Sequence, residues 1–305
     1  MRSRQVLPIA FLTLALVAGA CSSGGSSSAT ADNGKLHVVA AENFWGSIAA
    51  QLGGDRATVK SIITNPDTDP HDYEATAADG RTVASAKYVI VNGIGYDPWA
   101  SKLLAANPAS ARLQLNVGDA VGVKPGGNPH RWYSPPDVQK VIDQITADYK
   151  RLAPGDAAFF DRQRATFIST GLARYKGLVA DIRTKYSGVP VGASESIFTP
   201  LADALGLKLI TPESFLDAIS EGGEPAAADK SAIENQIRNH QIKVYVFNRQ
   251  NSTPDVQSQV ALAKAQGIPV SSVTETLEPA NASFQEWQAD QLQSLESALA
   301  KATGK

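Results

Sequence analysis

The sequence predicts an α/β protein of two lobes, each with a largely parallel sheet, joined by a long spine helix and leaving a cleft between the lobes. Three observations predict it. Short apolar, β-branched runs alternate with helix-like runs in both halves of the chain, the pattern of βα units with parallel strands. Between the halves, Asp156–Lys185 lacks Pro and carries only Gly171 and Gly177. Beyond the N-terminal leader, about 270 residues remain, enough to bury two lobes.

The elements follow in order. Arg2 and Arg4 precede an apolar run from Val6 to Val17, then Ala18-Gly19-Ala20-Cys21. A charged start, a short apolar centre and small residues before a cut site mark residues 1–20 as a secretory signal rather than a spanning helix. Cys21 is the sole cysteine and stands where a bacterial lipoprotein is cut and acylated; a secreted chain rarely carries an idle lone thiol. Residues 21–35 read as the lipidated cysteine and a flexible Ser/Gly tether. In the first lobe, residues 36–150, strands are expected at Leu36–Ala41, Val59–Ile63 and Tyr88–Asn92, with helices at Phe44–Leu52 and Ala77–Ala86. Tyr88–Asn92 is mostly apolar, as in a strand covered on both faces.

The link, residues 151–187, holds the spine. Phe160, Phe167, Leu172, Tyr175, Leu178 and Ile182 recur roughly on one helical face, and a helix over Asp156–Lys185 would be roughly 45 Å long. Two helices broken at a glycine are the alternative. In the second lobe, residues 188–305, strands are expected at Val189–Gly192, Val244–Phe247 and Ile268–Val273. Helices are expected from Ile197, near Asp229–Asn239 and from Pro254.

Charge narrows the partners. Loss of residues 1–20 removes Arg2 and Arg4, leaving 26 Lys and Arg of the original 28 against 30 Asp and Glu, a formal charge of −4. That balance offers no basic face to nucleic acid or to anionic lipid. With one cysteine, no internal disulfide forms, and a monomer is expected.

The chain has four histidines. His37 lies inside a strand, and His240 ends a helix, where an imidazole suits the negative end of the dipole. His71 and His130 sit instead in Pro-flanked loops, Asp69-Pro70-His71-Asp72-Tyr73-Glu74 and Asn128-Pro129-His130-Arg131-Trp132, where proline stiffens the backbone. His71 follows strand Val59–Ile63, Glu195 follows Val189–Gly192 and Glu275 follows Ile268–Val273. Ligands of open parallel sheets bind beyond the carboxyl ends of strands. Two imidazoles from the first half and two carboxylates from the second are thus placed to converge, a donor set suited to zinc or manganese. Each alone is more often a solvated loop residue.

At these residues the chain resembles the zinc- and manganese-binding solute receptors of ABC importers, the group with a helical spine. The resemblance rests on Asp69-Pro70-His71-Asp72-Tyr73-Glu74, on the Asn-Pro-His stretch at His130, and on Ala193-Ser194-Glu195-Ser196-Ile197-Phe198. It implies a metal site in the interlobe cleft, with His71, His130 and Glu195 as ligands. In the last loop the chain reads Thr274-Glu275-Thr276 where relatives carry Asp, making Glu275 the matching carboxylate, one methylene longer. Asn251 is a weaker substitute through its amide oxygen. The resemblance further implies zinc or manganese as transported ligand, an ABC permease as partner, and anchorage outside the cell membrane through the lipid on Cys21. Imidazole ligands, with a reference pKa of about 6.5, would then set the loss of binding as pH falls from about 7 toward 5.

Other classes have less support. The chain has no HExxH, Gly-x-Ser-x-Gly or phosphate loop, so an enzyme is not expected; a metal-dependent hydrolase needs open coordination beside a base. A receptor for haem or a siderophore needs a wide cleft lined with Arg or aromatic residues. Cys21→Ser is expected to leave folding intact and to abolish acylation, read as incorporation of labelled fatty acid; undiminished labelling would sink the anchor.

Overall fold

Val38-Val39-Ala40-Ala41 form a buried apolar run with no polar alternation, and they sit in strand β1 (Leu36–Glu42), which is flanked by strands on both sides. The computed structural model describes residues 34–305 apart from Asp72; the leader and Cys21 lie outside the described residues. Beside β1 run β2 (Ala57–Ile63), β3 (Tyr88–Val91) and β4 (Leu113–Asn116), in the order β2-β1-β3-β4 with every pair parallel. The second sheet holds β5 (Pro190–Ala193), β6 (Lys208–Leu209), β7 (Val244–Asn248) and β8 (Val270–Val273), in the order β6-β5-β7-β8 and again all parallel. Both lobes thus follow one strand plan. In each, the chain reverses its direction of travel across the sheet between the first and third strands, where open α/β sheets leave a crevice.

Helices cover the sheets. In the first lobe they are α1 (Asn43–Gly53), α2 (Ala77–Ser85), α3 (Pro98–Ala106), α4 (Val117–Val121) and α5 (Pro135–Leu152). The spine follows as α6 (Ala157–Thr166) and α7 (Ala173–Tyr186), and then come α8 (Thr199–Leu205), α9 (Glu213–Ser220), α10 (Ala227–Arg238), α11 (Pro254–Ala265) and α12 (Phe284–Thr303). Not expected from the sequence are β4, β6, α4, α5, α9 and α12. No helix of the described residues is long and apolar enough to cross a membrane.

The spine departs from a regular α-helix at one place. Phe167–Gly171 form a π turn, closed by the Leu172 N–H donating to the Phe167 carbonyl at 2.8 Å. The apolar spacing explains it. Phe167 and Leu172 are five apart, a step that an α-helix would rotate off the buried face, and the wider turn returns both to the core. Gly171 suits the turn because a Cβ there would come within 2.9 Å of the Phe167 ring.

Each lobe has a smaller apolar cluster of its own, around Val89 and Trp99 in the first and around Ile237 and Tyr245 in the second, and the two share a larger one. The larger cluster runs from Phe44, Trp132 and Ile142 through Tyr175 and Ile182 to Val191, Leu201 and Val246. Helix α12, started by a capping box between Ser283 and Glu286, adds Trp287, Leu292, Leu295 and Leu299 to it. The same helix reaches the first lobe through polar contacts: Gln285 Nε2 donates to Gln51 Oε1 at 2.7 Å, and the Phe284 N–H to Ser47 Oγ at 2.9 Å.

Candidate metal site

The site lies at the carboxyl ends of the strands, with residues from both sheets. From the first lobe, the long connection after β2 presents His71. Its N–H donates to Asp69 Oδ1 at 2.9 Å, an Asx turn that sets the loop. Trp99 of α3 donates its Nε1–H to the Pro70 carbonyl at 3.2 Å and tethers that loop to the lobe. After β3 the backbone takes three successive positive φ values at Gly93, Ile94 and Gly95. Gly93 is obligatory, since a Cβ there would sit 2.2 Å from Asn116 Oδ1. The Asp97 carboxylate closes the turn by accepting the Asn92 and Gly93 N–H groups, both at 2.8 Å. This turn delivers Tyr96, whose ring meets His71 edge to face at 4.6 Å.

His130 is fully buried and backed by Trp132 at 5.2 Å between ring centroids. Its tautomer follows from Asn128. The Asn128 Nδ2 donates to the Ser196 carbonyl across the cleft at 2.7 Å, so Oδ1 faces the histidine. There it accepts the His130 backbone N–H at 3.0 Å and Nδ1–H at 2.9 Å. Nδ1 therefore carries the proton, and Nε2 keeps its lone pair. That Nε2 is buried and makes no hydrogen bond among the described residues, and it points at Glu275 Oε2 at 3.7 Å. Burial, then His71 and Arg131 nearby, hold the His130 pKa well below the usual imidazole range, so the ring is neutral at pH 7.

From the second lobe come Glu195, just after β5, and Glu275, just after β8, 1 % and 5 % exposed. Asn248, the last residue of β7, links them. Its Nδ2 donates to Glu195 Oε1 at 2.7 Å and to Glu275 Oε1 at 2.8 Å. Glu275 Oε2 accepts the Tyr96 hydroxyl at 2.9 Å, and Glu195 Oε2 accepts Asn251 Nδ2 at 2.8 Å. Burial pushes the Glu275 carboxyl well above the carboxylate range, and the Glu195 charge adds to it. Burial likewise pushes Glu195 up, to about 7. Near Tyr96 lies a third buried glutamate, Glu42, raised by burial and then by Asp97.

One ligand atom each from His71, His130 and Glu275 lie within 4.8 Å of one another. Glu195 lies outside this triple and is joined to Glu275 through the shared amide nitrogen of Asn248. Asn251 turns its amide nitrogen toward Glu195 rather than serving through its oxygen. His37 and His240 are exposed and remote from the cluster's loops. A cation fits these donors. Zinc ligand bonds of about 2.0–2.1 Å set tetrahedral ligand atoms roughly 3.3 Å apart, close to the 3.7 Å between His130 Nε2 and Glu275 Oε2. The cavity among Asp69, His71, Asn251 and Glu275 has a volume of about 40 Å³, far below the roughly 300–1,000 Å³ of pockets for organic ligands.

Residues 38–298 match the family described as zinc-uptake complex component A, periplasmic. The chain belongs to this family. Among its relatives, the iron-binding protein YfeA of Yersinia pestis is 27 % identical over 254 residues, covering 79 % of this chain and 74 % of that one. The high-affinity zinc uptake system protein ZnuA of Bacillus subtilis is 23 % identical over 250 residues, 76 % of each chain. The fold is that of a periplasmic zinc-binding protein, TroA, from Treponema pallidum: TM-score 0.72, 17 % identity, 88 % of this chain and 99 % of that one. It also matches a manganese-bound periplasmic metal-binding protein from Candidatus Liberibacter asiaticus, with TM-score 0.74, 20 % identity, 87 % and 100 % coverage.

Within this family member, three residues at the site carried no assignment from sequence: Tyr96, Asn128 and Asn248. Asn128 stood two residues before His130 in the quoted motif, and Asn248 at a strand's carboxyl end; those were the available signals. One expectation is corrected. With His130 depressed and the glutamates raised, Glu195 and Glu275 rather than His130 titrate toward neutrality. The folded state keeps the pair's proton above the pH at which an unfolded chain releases it, so the pair's cost grows as pH rises past the ordinary carboxyl range. Glu275→Gln can accept from Asn248 and donate to Tyr96. It is expected to raise the melting temperature of chelator-stripped protein at pH 8 by about 2–4 °C, on the order of 1 kcal/mol, with little change at pH 5. A variant that melts lower at pH 8 would overturn the charge account.

Proposed function

We propose that this protein is the substrate-binding receptor of a metal importer. It captures a bare divalent transition-metal ion, zinc or manganese, on His71, His130, Glu275 and Glu195, and delivers it to an ABC permease. It works as a monomer, held outside the cell membrane by a lipid on Cys21. The observation that carries the metal reading is the buried, proton-free His130 Nε2 facing Glu275 Oε2 at 3.7 Å without a hydrogen bond. That gap is too long for a hydrogen bond and close to the separation of two ligands on one ion.

The capture step follows from the site's own groups. A cation entering the cavity lined by Asp67, Asp69 and Gln250 meets donors that are already oriented. His130 is held by Asn128, and Glu275 by Tyr96 and Asn248. The arriving charge offsets the repulsion between the two carboxylates and displaces their proton. The 40 Å³ cavity also weighs against haem or siderophore cargo. The adjoining depression of about 440 Å³, on Pro66, Asp67, Arg249, Gln250 and Glu278, contains none of the four proposed ligands.

Zinc, manganese and ferrous iron should be titrated separately into chelator-stripped protein. The cognate ion at about 1,000 times its dissociation constant adds roughly 4 kcal/mol to stability; a melt unmoved by all three ions would sink the reading. His71→Ala, His130→Ala and Glu275→Gln are each expected to weaken binding by at least about 100-fold. Glu195→Gln should weaken it strongly, and Asn251→Ala far less, because Glu195 keeps its bond to Asn248. Binding at pH 7 should release about one proton per ion from the carboxyl pair, measured by calorimetry in two buffers of different ionisation enthalpy. Identical heats in the two buffers would show that no proton leaves.

A further inference from the structure

Asn248 is fully buried, and both hydrogens of its amide nitrogen are spent on carboxylates, one on Glu195 Oε1 at 2.7 Å and one on Glu275 Oε1 at 2.8 Å. The orientation of the amide is fixed, because Oδ1 accepts the Gln250 N–H at 3.0 Å. Its backbone is fixed as well, with the Asn248 N–H donating to Ser194 Oγ at 2.9 Å. Asn251 and Tyr96 hold the two outer oxygens, at 2.8 and 2.9 Å. All four carboxylate oxygens therefore accept a hydrogen bond from a neutral donor.

We infer that Asn248 is a specificity-determining positioning residue, which makes the site prefer zinc over manganese by restricting each glutamate to one donor oxygen. The inference rests on the metal-receptor reading above. A carboxylate that grips a cation with both oxygens must turn its whole edge toward it and give up these bonds. A carboxylate that offers one lone pair keeps them. Two imidazoles and two such carboxylates make a four-donor set, which suits zinc. Manganese favours six donors, mostly oxygen, and the second oxygen of each glutamate is the nearest source of the other two. The amide that spans both acids holds both of these oxygens back together.

The test is the ratio of zinc to manganese dissociation constants, measured by chelator competition on the purified protein and on Asn248→Ala. Freeing both carboxylates should narrow the wild-type preference for zinc by about tenfold or more, equivalent to about 1.4 kcal/mol. A purely structural role would weaken both metals alike and leave the ratio unmoved. Should Asn248→Ala fail to fold, Asn248→Ser, which also removes the amide bonded to both Oε1 atoms, must narrow the ratio in the same direction. A folded variant with an unchanged ratio overturns the inference and leaves the receptor reading standing. A wild-type protein that binds neither ion overturns both.

Discussion

Glu195 and Glu275 are buried side by side and share one amide nitrogen, and much of the surrounding structure answers to that constraint. Two carboxylates removed from water raise each other's pKa and destabilise the chain that holds them. Asn248, Asn251 and Tyr96 supply neutral hydrogen bonds that make the arrangement tolerable without neutralising it. No guanidinium or ammonium group is paired with either glutamate among the described residues. The compensation is instead left to something that arrives, and the imidazoles of His71 and His130 complete the place where it would sit.

Holding that arrangement needs rigidity from both lobes at once. The apolar core passes through the link between them without interruption, from Phe44 and Trp132 to Val191 and Val246. Polar contacts reinforce it across the cleft: Asn128 to Ser196, Tyr96 to Glu275, and the Tyr133 hydroxyl to the Thr274 carbonyl at 2.9 Å. Lobes that share a core resist opening on a hinge, because exposing it would forfeit burial on the order of 25 cal/mol per Å². The loop carrying His71 is tied to the rest by Trp99, which donates to the Pro70 carbonyl, by Gln250 Nε2, which donates to the Pro66 carbonyl, and by the Tyr73 hydroxyl, which donates to Asp79 Oδ2.

Much of this was legible in the sequence, for definable reasons. His71 and His130 stood out because proline brackets them, and Glu195 and Glu275 because each follows a strand, where parallel sheets build sites. The spine's π turn was not expected: in the sequence, the five-residue step from Phe167 to Leu172 reads as part of one helical face. What was not legible is contact between distant positions. The Asn248 clamp joins residues from three strand ends, and nothing in the run Val244–Asn248 reveals which side chains its amide will meet. The protonation of the site depends on burial and on that pairing, so reference pKa values misplaced it. Helix α12 went unassigned although Leu292, Leu295 and Leu299 have helical spacing, because its polar positions diluted the pattern.

Helix α12 also bears on when the site comes into being. Its Gln291 Oε1 accepts both the Tyr133 hydroxyl at 2.8 Å and the Thr274 N–H at 3.0 Å, which links the stretch after His130 to the one before Glu275. A chain lacking α12 would leave the shared core open beside Phe284, Trp287 and Leu292, with both stretches unsupported. Site formation therefore belongs to the final stage of folding, after contacts of very long sequence separation have closed. A chain in which α12 has not yet docked has no assembled site.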